Sequence, residues 1–139
     1  MREGCCVPKI KREREFGMEM IDLLPREIVD SAAVRQRFGD ALGLWEKYVF
    51  RFNAESRTYA LLREAICQGE MKRIEEEAHS LKGLAGMLGF SRVYEASAQL
   101  VADCRTGRHD SLASDWSALE EAYQALAQAI EKLAERRKE

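Results

Sequence analysis

Proline is scarce in this 139-residue chain: its two copies are Pro8 and Pro25, and none follows residue 25. β-Branched residues are also sparse, whereas Ala, Leu, Glu and Arg are abundant. No stretch keeps the alternation of apolar and polar residues that a half-buried strand requires. Because proline breaks helices and the abundant residues are good helix formers, the composition argues against strands and favours helix throughout.

Other absences narrow the class of protein. No apolar run approaches the roughly 20 residues that span a bilayer, and the charged segment 1–16 lacks the apolar stretch of a signal peptide. We therefore expect a cytoplasmic protein with no membrane contact. The net charge is −2, from 22 Lys and Arg against 24 Asp and Glu, so nucleic acid is not expected as a partner. The four cysteines form no Cys-x-x-Cys pair and have no zinc-site spacing with histidine, which indicates free thiols in a reducing compartment.

Glycines and apolar periodicity divide the chain into an extension and one folded domain, as its length leads us to expect. We predict a partly disordered N-terminal extension over residues 1–27 and a helical domain over residues 28–139. Pro25 is placed to open a short first helix that closes at Phe38-Gly39. Amphipathic helical stretches follow, over about residues 40–68, 70–89, 91–107 and 110–134.

The first amphipathic stretch has an apolar stripe with an interruption. Ala41, Trp45, Tyr48 and Phe52 follow helical spacing, and Glu55 breaks the series. Two helices separated near Ser56 fit this better than one long helix. The first of them would join the short N-terminal helix at one end of the domain. Four amphipathic stretches with short connections predict an all-α fold, an antiparallel four-helix bundle with a short extra N-terminal helix across one end. We expect a monomer, because such a bundle buries the apolar stripe of its last helix.

The second amphipathic stretch is unusual on its outward face. At about 100° per residue, its apolar positions cluster on one side. His79 then points about 140° away from that side, Gly83 about 180° and Gly86 about 120°, and Lys82 lies at the boundary, one turn from His79. Ser91 is placed to cap the helix that follows.

Two exposed glycines inside a helix cost roughly 2 kcal/mol relative to alanine. One explanation is that something must approach His79 closely over a surface without side chains. The alternative is an ordinary surface histidine and a neighbouring helix that packs against the glycines; the spacing does not decide between them. An exposed imidazole suits reversible nucleophilic attack. Metal binding is not expected, because no second histidine lies near His79 and we interpret His109 as a solvated loop residue.

The segment Ala78-His79-Ser80-Leu81-Lys82-Gly83, followed by Leu88-Gly89, resembles the signature of histidine-containing phosphotransfer (HPt) domains. These domains carry a phosphoryl group on a histidine in two-component phosphorelays. The resemblance covers about residues 28–135. It implies a phosphocarrier rather than an autonomous enzyme, with receiver domains of response regulators or a hybrid histidine kinase as partners. It also implies that this chain binds no cofactor and that Mg²⁺ belongs to the receiver.

The resemblance further implies a role for individual residues. His79 would be the phosphoacceptor, Lys82 would offset the charge on the phosphoryl oxygens, and Gly83 and Gly86 would let the receiver close over the histidine. Four further residues are candidates for contacts at this site: Met87 and Phe90 as apolar partner contacts, and Glu75 and Glu76 as acceptors that orient the imidazole. For Phe90 the alternative is burial under the helix turn, and for the two glutamates it is a plain charged surface.

Two other functions remain open at this point. The same residues resemble the phosphoacceptor domain of chemotaxis-type histidine kinases, which receives its phosphate from an attached ATP-binding domain. A helical module that binds a partner without phosphotransfer is the other alternative. Leu84 departs from the family pattern, which often has a small or polar residue there.

Overall fold

A computed structural model describes residues 20–54 and 57–138 of the chain, and within these residues all regular structure is helical. This confirms the all-α fold class. A 3₁₀ turn, His109–Ser111, precedes the last helix. The helices are α1 Met20–Leu23, α2 Ser31–Phe38, α3 Leu42–Ala54, α4 Arg57–Gln68, α5 Met71–Leu88, α6 Ser91–Arg105 and α7 Leu112–Lys138. None of these helices is both long enough and apolar enough to cross a bilayer.

The four helices α4 to α7 form the bundle, and each packs against the next along the chain. Their connections turn at glycines with positive φ, which L side chains rarely adopt: Gly69, Gly89 and Gly107. Aromatic rings close the bundle between its first and last helices. Tyr59 of α4 stacks on Tyr123 of α7 with 3.7 Å between ring centroids, and on Trp116 at 5.4 Å.

Helix α3 covers one side of the bundle, but its buried stripe differs from the prediction. Trp45, Val49 and Phe52 are buried, whereas Tyr48 is 37% exposed. From Trp45 to Phe52 the predicted stripe passes through Tyr48 and the observed one through Val49. Both have helical spacing, so the periodicity of the sequence could not distinguish them. The Phe52 ring contacts the ring of Tyr123, at 5.7 Å between centroids. The predicted break near Ser56 lies outside the described residues.

The N-terminal segment enters the fold earlier than residue 28. The side chains of Met20, Ile21 and Leu24 are buried in the same core as the bundle. The packed part of the chain therefore begins by residue 20, and the predicted extension concerns at most residues 1–19, which lie outside the described residues. The sequence pattern missed this because a short apolar segment before a proline has no measurable period.

The prediction that Pro25 opens a helix is wrong. Its carbonyl accepts hydrogen bonds from the N–H groups of Ile28 and Val29, at 3.0 Å each, and so forms a turn. Helix α2 begins only at Ser31, because the Asp30 side chain caps it by accepting from the N–H of Ala33 at 3.1 Å. Aspartate is a stronger helix-starting signal than proline, since its carboxylate satisfies an amide that otherwise has no partner.

Candidate functional site

The outward face of α5 has the layout that the spacing predicts. The apolar positions are fully or almost fully buried: Ile74, Ala78, Leu81, Ala85 and Leu88. His79 and Gly83 are exposed on the other side, and Lys82 is half-buried between the two faces. A Cβ atom added at Gly83 would meet no atom of residues 20–54 and 57–138 within 4 Å, so none of these residues requires a glycine there.

His79 lies at the edge of an open groove of about 530 Å³ formed by three helices. Helix α5 contributes His79, Lys82, Gly83, Gly86 and Met87. Helix α2 lines the opposite wall with Arg37, and α6 closes the groove with Tyr94. The structure therefore brings the predicted histidine, lysine and glycines together, and adds two helices that the sequence analysis did not connect with the site.

Gly86 has a different environment from Gly83. A Cβ at Gly86 would lie 3.2 Å from both Cδ1 and Cε1 of the Tyr94 ring, which is closer than ordinary van der Waals contact. The glycine therefore makes room for a side chain of its own fold. This agrees with the alternative that a neighbouring helix packs against the glycine. Gly86 also lines the groove, and its role toward a partner stays a prediction. The Tyr94 ring also lies beneath the Lys82 ammonium, whose Nζ is 5.8 Å from the ring centroid.

The C-terminal end of α5 is anchored by hydrogen bonds. The last four carbonyls of a helix lack partners within the helix. Here the Ala85 carbonyl accepts from the N–H groups of Gly89 and Phe90, as in a Schellman motif. Arg37 donates to the carbonyls of residues 86 and 87, at 2.5 and 2.8 Å. The indole N–H of Trp45 donates to the carbonyl of residue 88 at 2.9 Å.

Phe90 is a core residue, contrary to its prediction as a partner contact. Its ring is fully buried and meets the ring of Phe52 edge-on, with 5.2 Å between centroids. The physical reason is its place in the Schellman motif, where the residue after the glycine packs back on the helix. Met87, by contrast, is 40% exposed beside the groove, so its side chain is available to a partner.

The two predicted imidazole acceptors lie away from the groove lining. Glu75 instead pairs with Arg105 of α6, whose Nε donates to its carboxylate at 2.8 Å. Glu76 is exposed. Leu84 packs against the core, so its departure from the family pattern adds an apolar contact within the fold.

Tyr94 and Arg37 are two of the groove residues that sequence reasoning missed. A signal for Tyr94 was present. In an antiparallel helical hairpin, residues equally distant from the turn lie opposite each other, and Gly86 and Tyr94 are each four residues from Phe90. Arg37 left no comparable signal, because its hydrogen bonds join positions about fifty residues apart.

A second group of titratable side chains lies where α6 meets α7, away from the groove lining. Burial, with the neighbouring Asp103 carboxylate, raises the pKa of Asp115 to about 7. Hydrogen bonds from Asp115 and from Gln99, whose Nε2 lies 3.2 Å from both carboxylate oxygens, lower the pKa of Asp103. Burial also raises the pKa of the Cys104 thiol. Among residues 20–54 and 57–138, no group of three or more His, Cys, Asp or Glu side chains is arranged to hold a metal ion.

A comparison with protein families agrees with the helical bundle. The model of the Hpt domain matches residues 52–136, which is more than half of the chain. The protein therefore belongs to the Hpt domain family. Membership assigns it a histidine-phosphotransfer role in two-component signalling, as a phosphocarrier module that interacts with receiver domains of response regulators or hybrid kinases. Comparisons with curated proteins and with solved structures gave no significant match.

Proposed function

We propose that this protein accepts a phosphoryl group on His79 from the aspartyl phosphate of one receiver domain and passes it to the aspartate of another. The observation that carries the proposal is the exposed imidazole one helical turn from the bare surface at Gly83, in a chain of the Hpt family. A receiver must bring its phosphoaspartate within bonding distance of the imidazole. A surface without a side chain at position 83 permits that approach.

The transfer is a substitution at phosphorus. Nε2 of the neutral His79 imidazole attacks in line with the bond between phosphorus and the aspartyl oxygen. The N–P bond forms as the P–O bond breaks, and the aspartate leaves as a carboxylate with the bonding electron pair. The imidazole keeps its proton on Nδ1 until solvent removes it. The reverse step delivers the group to a second aspartate.

Charge neutralisation and positioning account for most of the catalysis in such a transfer. Lys82 is the basic residue nearest to His79 in the sequence, one helical turn along α5. Its ammonium would offset charge on the phosphoryl oxygens. Mg²⁺ would be supplied by the acidic pocket of the receiver. The protein would then act as a cytoplasmic monomer that needs no cofactor of its own.

The test is the intact mass of the purified protein after incubation with phosphoramidate, a small donor whose P–N bond breaks to release ammonia. We expect one added phosphoryl group, which acid removes and which His79→Gln lacks. His109→Gln is the matched control, because His109 is the chain's other histidine and is also exposed. It should be labelled like the wild type.

Two results would contradict the assignment. One is an acid-labile phosphoryl group on the His79→Gln variant. The other is a wild-type protein that accepts phosphate neither from phosphoramidate nor from phosphorylated receiver domains. If receivers also bind the His79→Gln variant as tightly as the wild type, the result would favour a binding module without phosphotransfer.

A further inference from the structure

Tyr94 is an exposed aromatic residue whose place in the fold is tightly defined. It is 40% exposed on the first turn of α6 and lines the groove beside His79. Its ring lies against the bare backbone of Gly86, where a Cβ would be 3.2 Å from two ring carbons. A Cβ at position 86 would therefore require this ring to shift by a few tenths of an ångström, so the ring packs most closely when residue 86 is glycine.

The face of this ring is directed toward Lys82. The Lys82 Nζ lies 5.8 Å from the ring centroid, within the range of a cation–π interaction. Within residues 20–54 and 57–138, no carboxylate forms an ion pair with this ammonium. A carboxylate would hold the lysine but would cancel its charge. An aromatic face restrains the ammonium and leaves the positive charge available for an anion.

We propose that Tyr94 is a positioning residue for phosphotransfer, because its ring holds the Lys82 ammonium beside His79 before the phosphoryl group arrives. The inference rests on the proposed function of His79. A free lysine side chain has large rotamer freedom, which it must lose to contact phosphoryl oxygens. When the ring restricts that freedom in advance, less is lost during the transfer.

The first arm of the test measures the initial rate of His79 phosphorylation by phosphoramidate. A small donor makes no contact with a docking surface, so the rate reports on the groove alone. Tyr94→Leu removes the aromatic face, and we expect a rate about two- to five-fold lower, the range that an exposed cation–π interaction supports. Tyr94→Phe keeps the face and should retain the wild-type rate.

Two controls isolate the route through Lys82. We expect the Lys82→Gln variant to be slower than the wild type, and in that background Tyr94→Leu should cause no further loss. Tyr48→Leu should leave the wild-type rate unchanged. Tyr48 is as exposed as Tyr94, at 37% against 40%, but lies on α3 and does not line the groove.

The second arm is a spectroscopic signature that a purely structural role would not produce. An ammonium over an aromatic face places its neighbouring Cε protons in the ring current. The Lys82 Hε resonances should be shifted upfield in the wild type and in Tyr94→Phe, and should return to the random-coil position in Tyr94→Leu. Circular dichroism of each variant reports on whether the fold is kept.

The results separate this inference from the function on which it rests. Two results would refute the positioning role and leave the phosphocarrier function intact. One is a Tyr94→Leu variant that is phosphorylated as fast as the wild type. The other is a Tyr94→Leu substitution that slows phosphorylation as much in the Lys82→Gln background as in the wild type. Unshifted Lys82 Hε resonances in the wild type refute it as well. If His79 is never phosphorylated, both proposals fail together.

Discussion

Gly89 forms the turn at the end of α5, the helix that carries His79. Its replacement by alanine tests the packing of α2 against this turn. Gly89 has φ +80°, in the left-handed region that L residues avoid. A Cβ there would lie 2.5 Å from Cγ2 of Val34 and 3.3 Å from the backbone oxygen of Asp30. The N–H of Asp30 also donates to the Gly89 carbonyl at 2.8 Å, so neither α2 nor the turn can move away without breaking this bond.

The expected loss of stability has two parts. The left-handed conformation costs an alanine about 1–2 kcal/mol. Forcing a methyl group into packed atoms costs a further 1–3 kcal/mol or so. We therefore expect Gly89→Ala to lower the free energy of unfolding by about 2–5 kcal/mol, which is a large share of the roughly 5–15 kcal/mol typical of a domain.

Gly107→Ala is the matched control. Gly107 follows α6 with φ +77°, nearly the same conformation, but a Cβ there would meet nothing within 4 Å among the described residues. It should lose only the conformational part, about 1–2 kcal/mol. Urea unfolding followed by circular dichroism gives both values. Equal losses in the two variants would show that Val34 does not confine position 89, and would refute the close packing of α2 against this turn.

Three further predictions concern the site and its supports. Gly83→Ala should raise the free energy of unfolding by up to about 1 kcal/mol, because the position is open and helical. The variant should slow transfer from a receiver but leave labelling by phosphoramidate unchanged. Equal slowing with both donors would contradict the role of Gly83 in docking. Trp45→Phe should cost about 1–3 kcal/mol in urea unfolding, because it leaves the buried carbonyl of Leu88 without its donor. The raised pKa of Asp115 means that the folded state binds a proton that the unfolded state releases, so the stability from this group is complete below about pH 3.8 and is lost as the pH rises through about 7. Unfolding at about pH 5 and about pH 8 should show this decline, and Asp115→Asn should abolish it; an unchanged slope in the variant would assign the decline elsewhere.

The helices of the bundle were predictable because their signals are local. Glycine stops and the 3.6-residue period placed α5 and α6 within two residues of their ends. Errors arose where two local signals competed. Pro25 is the predicted helix start, but helix α2 begins after Asp30, whose carboxylate accepts from the N–H of Ala33. The predicted stripe of α3 contains Tyr48, whereas the structure buries Val49, one residue along.

The site was predictable as far as one helix determines it. The exposure of His79 and Gly83 and the boundary position of Lys82 follow from their angles around α5. The environments of Gly86 and Phe90 do not, because each depends on a second element. A helical projection treats every outward glycine alike, yet one of the two faces open space and the other faces a tyrosine ring.

The two ends of the groove face of α5 therefore serve different purposes. At the C-terminal end, each of the last four carbonyls accepts a hydrogen bond. Arg37 of α2 donates to two of them and Trp45 of α3 to a third, so the end of α5 is fixed to these two helices. One and a half turns earlier, a Cβ at Gly83 would meet no atom of the described residues within 4 Å. Phosphotransfer requires a nucleophile that does not shift and a surface that a second protein can reach. This helix meets the first requirement through hydrogen bonds near residue 88 and the second through the side chain that position 83 lacks.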